Sequence, residues 1–272
     1  MYTHRLHGRE QNLLGGHAAL AQGSAAIVLS IGGAKKTRGS ADPNEDSVGF
    51  AEGEGGTLLV VADGHWGRDA AEVVVERVLS RRAPEWTAKT ADALSADWPS
   101  LAVEALVDAH SAIVEHVARG GQPDARTTLA LALLRPDEDL LAYAAAADSS
   151  VFRVGETDAV ELAPGPREVT VFLGAPGTPE DALRGSFVVG TERLAGTRAV
   201  VVVSDGFTEA GIGVESPPLT LVEIADRTQN LDSEARSLEV ARSTVDRALE
   251  AHRRHGGGDN VASAAVWVAR AP

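Results

Sequence analysis

The chain has 272 residues, with 25 Lys and Arg against 39 Asp and Glu and a net charge of -14. Such a surface repels nucleic-acid phosphates and anionic lipid, so neither nucleic acid nor membrane is an expected partner. The absence of cysteine excludes a disulfide framework, a thiolate zinc site and a cysteine nucleophile, and it suits a reducing, cytoplasmic setting.

Residues 1–22 have no apolar core of signal-peptide quality and read as a peripheral, less ordered segment. Residues 25–31 form the first apolar run of strand length. Strands follow at 47–51 and 57–62, with E-G-E-G-G at 52–56 as the hairpin turn, since glycine accepts positive φ. Ala71, Val74, Val75 and Val78 then fall at i, i+3, i+4 and i+7, the spacing of one helix face. Ala102, Leu106, Ala109, Ile113 and Val117 make a second such stripe. Strands are expected at 128–134, 140–147 and 151–154, and the stretch 140–162 reads as a meander. After a strand at 199–203, a third stripe runs through Leu238, Ala241, Val245, Leu249 and His252. Asp232 or Ser233 opens it and Gly256 closes it. Residues 261–268 form the last strand.

Long helices between blocks of strands argue for an α+β fold with antiparallel sheets over a doubly wound parallel one. No repeat or low-complexity linker divides the chain, so residues 1–272 read as one domain, expected as a monomer. No apolar run approaches the roughly 18 residues of a membrane helix.

Acidic residues stand where these strands begin or end. Asn44-Glu45-Asp46 precedes the strand at 47–51, and Asp63-Gly64-His65 follows the one at 57–62. Ser204-Asp205-Gly206 follows the strand at 199–203, and Gly258-Asp259-Asn260 precedes the last. Singly, an Asp-Gly pair is an ordinary turn. Repeated at four strand ends, the carboxylates can converge on one rim, where they repel one another and are costly to bury unpaired. A hard divalent cation such as Mg2+ or Mn2+ resolves that repulsion through oxygen ligands.

The order N-E-D, V-A-D-G-H, T-T-L-A, A-D-S, S-D-G and D-N, over about residues 42–268, resembles the metal-dependent protein serine/threonine phosphatases, the protein phosphatase 2C family. The resemblance implies a four-layer α-β-β-α sandwich with two central antiparallel sheets. It implies two Mg2+ or Mn2+ ions, bridged by Asp63. The Gly64 carbonyl and Glu45 would serve one ion, Asp205 and Asp259 the other, and Asp46 would orient waters. Asp148 matches the acidic residue that holds a third ion in some members. In the family mechanism a metal-bridging hydroxide attacks phosphorus directly, and His65 is the candidate general acid. The implied substrate is phosphoserine or phosphothreonine in a protein, set by a Ser/Thr kinase.

The chain departs from the family pattern in places. Where an arginine usually grips the phosphate, three residues before the Asn of N-E-D, stands Ala41. Arg38, Lys35 and Lys36 are the candidates to stand in from the same loop, with Arg38 taken as the substrate-binding residue; ordinary surface charge is the plainer reading. The segment between Leu162 and Val188 looks rebuilt, with Ala163-Pro164-Gly165-Pro166 where a flap is usual. A phosphatase of small phosphate esters and a non-catalytic binding protein of the same fold are therefore the alternatives.

Overall fold

The apolar runs are continuous because the inner strands of each sheet bury both faces. In β5 (Thr57–Ala62), Leu58, Val60 and Ala62 point to one cluster of buried side chains and Leu59 and Val61 to another. That two-residue alternation repeats throughout the computed structural model, which describes residues 1–268 except 12, 38, 90–93 and 164–170.

One six-stranded sheet runs β1 (Tyr2–His7), β4 (Ser47–Glu52), β5, β8 (Leu129–Arg135), β9 (Leu140–Ala146), β12 (Val188–Arg193). The other runs β11 (Ala159–Glu161), β10 (Ser150–Val154), β13 (Ala199–Val203), β14 (Val261–Trp267), β3 (Ala25–Ser30), β2 (His17–Gln22). Every pairing within them is antiparallel. A short ribbon pairs β6 (Gly64–His65) with β7 (Arg126–Thr127).

The inner faces meet in a core that includes Ile27, Leu29, Leu59, Val61, Val200, Val202 and Ala264. Helices α1 (Asp69–Arg81), α2 (Ala83–Trp86), α3 (Leu94–Ala118) and α4 (Glu180–Gly185) cover the first sheet. Helices α5 (Asp205–Thr208), α6 (Pro217–Thr228) and α7 (Ser233–His255) cover the second. The architecture is the expected α+β, helix-sheet-sheet-helix sandwich. Asp232 flanks α7 at its start, and Gly256 ends it in the left-handed conformation at φ 73°. No described helix is long and apolar enough to cross a membrane.

Two expectations are corrected. Residues 2–7 and 17–22 are strands, β1 on β4 and β2 on β3, and stay peripheral as an edge strand of each sheet. Nor is 140–162 a simple meander. Strand β9 pairs with β8 and β12, while β10 pairs with β13 and β11 in the opposite sheet. The chain changes sheets at a corner where Ala147 has φ 68°.

Register brings the acidic strand ends together. Ser47 at the start of β4 faces Ala62 at the end of β5, and Val203 at the end of β13 faces Ser263 near the start of β14. The β9–β10 corner meets the same rim, because Ala146 pairs with Leu129.

Candidate metal centre

Asp63 is held by its backbone. Its N–H donates to Thr128 Oγ1 at 2.9 Å, and its carbonyl accepts from Thr127 Oγ1 at 2.8 Å and Thr128 N–H at 3.0 Å. Thr128 Oγ1 in turn lies 2.6 Å from Ser149 Oγ. The T-T and A-D-S motifs thus fix the strand end and leave the Asp63 carboxylate for chemistry. Gly64 must be glycine, since a Cβ there would fall 2.3 Å from the Glu45 carbonyl oxygen.

Asp205 opens α5 directly after β13. Asp46 Oδ2 accepts from Ser204 Oγ at 2.8 Å, and the same hydroxyl accepts Ala262 N–H. Asp46 Oδ1 is buried with no hydrogen-bond partner. Single oxygens of Asp63, Asp148 and Asp205 lie within 4.8 Å of one another, and so do those of Asp205, Glu209 and Asp259. Burial, then Asp46 and Asp259, push the Asp63 carboxyl well above the usual carboxylate range. Burial, then Asp63 and Asp259, do the same to Asp205. Asp46 is pushed up to about 7, mainly by burial.

Crowded, desolvated carboxylates with an orphan oxygen among them fit a divalent-cation site. Asp63, Asp148, Asp205, Glu209 and Asp259 have the donors to hold such ions. Glu209 was not legible as a site residue, although its spacing of four from Asp205 across a single helical turn was the available signal. Glu45 belongs to neither group. Its Oε1 accepts N–H from Ala41 (3.1 Å) and Gly67 (2.7 Å), and its Oε2 accepts from Lys36 Nζ at 3.0 Å.

Among the described residues Lys36 is the cation that contacts this centre. Its Nζ also lies 2.9 Å from Asn260 Oδ1 and 3.3 Å from Asp259 Oδ1. Backbone pairing of residues 35–37 with Gly258 puts it there. The carboxylates around it raise its pKa despite the opposing cost of burial. Arg38 lies outside the described residues, as do residues 164–166 of the rebuilt segment, and Lys35 is exposed. His65 Nδ1 lies 3.7 Å from Asp63 Oδ1 and makes no hydrogen bond. Burial lowers its pKa, with Asp148 opposing.

His252 turned out to be structural. Its Nδ1 accepts Gly33 N–H at 3.2 Å and its Nε2 donates to the Gly206 carbonyl at 2.8 Å, tying α7 to the Asp205 turn as a neutral imidazole. Burial lowers its pKa. The unfolded chain therefore binds this proton more readily, and the contribution of His252 is lost as pH falls through the unfolded value near ~6.5. Buried Asp63 and Asp205, whose pKa values are raised, respond in the opposite sense. Comparison with His252→Gln isolates the histidine: in denaturant unfolding, the stability gap between the two proteins should narrow from pH 7.5 to pH 5.5. A constant gap would show that His252 carries no proton linkage.

A sandwich of two antiparallel sheets between helices, with buried carboxylates gathered at one rim, defines the protein phosphatase 2C class of fold. The chain belongs to the protein phosphatase 2C family, whose family model matches residues 33–250. It is thereby a phosphoprotein phosphatase by family. Among solved structures it is similar to a serine-threonine phosphatase 2C from Toxoplasma gondii, at 16% identity over 92% of this chain and 98% of that one, TM-score 0.65. It is likewise similar to the serine/threonine phosphatase Stp1 from Staphylococcus aureus, at 17% identity over 95% and 100%, TM-score 0.63. The catalytic domain of the serine threonine protein phosphatase PstP, solved in complex with two manganese ions, matches at 20% identity over 93% and 98%, TM-score 0.59. No curated protein sequence matches the chain.

Proposed function

We propose that the protein hydrolyses phosphoserine and phosphothreonine in cytoplasmic proteins, using two Mg2+ or Mn2+ ions and leaving room for a third at Asp148. One observation carries the reading: Asp63, Asp205 and Asp259, far apart in sequence, meet as buried carboxylates at the mouth of the sandwich. Ions bound there would supply Lewis acidity toward the phosphoryl oxygens and acidify water.

The chain's own residues do the rest. Asp63, Asp205 and Asp259, with the Gly64 carbonyl and Glu45, would hold the ions, and Asp46 would orient water through its unpaired Oδ1. With no arginine at Ala41, Lys36, whose Nζ lies among Glu45, Asn260 and Asp259, would hold the phosphoryl group by point charge. His65 would protonate the departing oxygen. Retention of the carboxylates favours an enzyme over a non-catalytic binding protein.

Purified protein should hydrolyse an aryl phosphate with Mn2+ and stop in EDTA. Phosphopeptides should surpass sugar and nucleotide phosphates at equal concentration; equal rates would remove the protein-substrate assignment. The metal has a readout of its own. Ions that bind only the folded state at ~100-fold their Kd stabilise it by about 2.7 kcal/mol. Mn2+ should then raise the melting temperature by roughly 5 °C or more, and no shift would count against the site.

A further inference from the structure

Beside the acidic rim lies a second feature that the hydrolytic chemistry does not use. Trp66 directly follows His65 and holds φ 58°, a conformation that a bulky side chain rarely adopts and that marks functional positions. Despite that cost, its indole is not buried: the residue is 49% exposed. The Arg126 guanidinium lies over the indole, its carbon 4.9 Å from the ring centroid. Phe172 abuts the indole edge-on at 6.0 Å and packs on the His65 ring at 4.4 Å.

Arg126 is set apart from most of the protein's arginines. Arg68, Arg77, Arg135 and Arg198 each pair with a carboxylate. Among the described residues Arg126 has no such partner, and its buried Nε makes no hydrogen bond. In a chain of net charge -14, an arginine with no carboxylate among the described residues, set over an aromatic ring, suits an outside anion. Its place is defined as well. Arg126 faces His65 across the β6–β7 ribbon, one strand spacing of about 5 Å away, and His65 adjoins Asp63.

Given the phosphatase reading above, we propose that Arg126, held by Trp66, determines substrate specificity. It receives an anionic group, a carboxylate or a second phosphate, one or two residues from the scissile phosphoresidue. An extended peptide advances about 3.3 Å per residue, so a side chain at that separation spans from the acidic rim to Arg126. The guanidinium suits either anion through paired N–H donors, and the exposed indole face adds contact for the peptide stem.

The test is equilibrium binding, by fluorescence anisotropy with Mn2+ present, of three peptides carrying a non-hydrolysable phosphonate analogue of phosphothreonine. They differ only in the neighbouring residue: alanine, aspartate or phosphoserine. Tightening of roughly tenfold over alanine is expected for an anionic neighbour, the scale of a charge-assisted hydrogen bond. Tightening by both anions, or by phosphoserine alone, identifies which anion is read. Arg126→Gln should reduce the ratio to about one. Arg126→Lys, with its charge but not its planar fork, and Trp66→Ala, without the platform, should give intermediate ratios and cover the case in which Arg126→Gln does not fold. Equal binding of all three peptides by the wild-type protein, or an undiminished ratio in the variants, overturns the proposal. Aryl phosphate turnover, measured separately, reports on the phosphatase reading itself, so the two can fail independently.

Discussion

Asp63→Asn should lower Mn2+-supported phosphatase turnover by more than about 100-fold, beyond the 10–100-fold typical of residues that merely support a metal ligand. The same substitution should leave the metal-free protein at least as stable as the wild type. The two expectations come from separate parts of one residue. Backbone contacts with Thr127 and Thr128 place Asp63, and they survive any change of side chain. The carboxylate, by contrast, is buried against Asp46, Asp259 and Asp205. An asparagine of nearly the same shape removes one charge from that crowd and offers N–H donors to Asp205. Without metal this relieves repulsion; with metal it removes the shared ligand. Activity assays combined with thermal melts in EDTA and in Mn2+ separate the effects. Near-normal turnover would end the bridging role, and a large loss of stability in EDTA would show that Asp63 is structural instead.

The parts of this molecule that could be read from sequence are those whose reason is local. Strands such as 57–62 and 199–203 were legible because both faces are buried, which makes their apolar runs continuous. The stripes on α1, α3 and α7 were legible because one face packs on a sheet. Strand β1 was not. Tyr2–His7 lies at a sheet edge, and its Thr3, His4 and Arg5 give no apolar run. The change of sheets at Ala147 was hidden because β9 and β10 read identically whichever sheet they join. The site divides in the same way. Carboxylates next to strand ends announced themselves, and with them the convergence. Lys36 is one of three loop cations on offer for the missing arginine, and only pairing of its segment with Gly258 singles it out. The stacking of Arg126 on Trp66 depends on the β6–β7 ribbon, a contact between residues sixty positions apart.

Asn260 connects these levels, and its loss should be the more damaging to stability. Only 1% exposed, it satisfies four groups of the 31–45 stretch with one amide. Its Nδ2 donates to the carbonyls of Ile31 at 3.2 Å and Pro43 at 3.1 Å. Its Oδ1 accepts Glu45 N–H at 2.9 Å and Lys36 Nζ at 2.9 Å. Asn260→Ala strips a donor from two carbonyls and an acceptor from one amide, and each buried orphan costs about 1–3 kcal/mol. At least about 3 kcal/mol in total, or a drop of roughly 6–12 °C or more in melting temperature, is the expected result. The loss should persist in EDTA, because these bonds go to backbone groups and to Lys36 Nζ and involve no carboxylate of the site. Mn2+ should still stabilise the variant, since Asp63, Asp205 and Asp259 retain their carboxylates. Asp63→Asn and Asn260→Ala are thus opposites: the first should abolish the response to metal while sparing the fold, and the second should weaken the fold while sparing the response. Loss of the Mn2+ response in both would mean that the loops pinned by Asn260, rather than the strand ends, position the carboxylates.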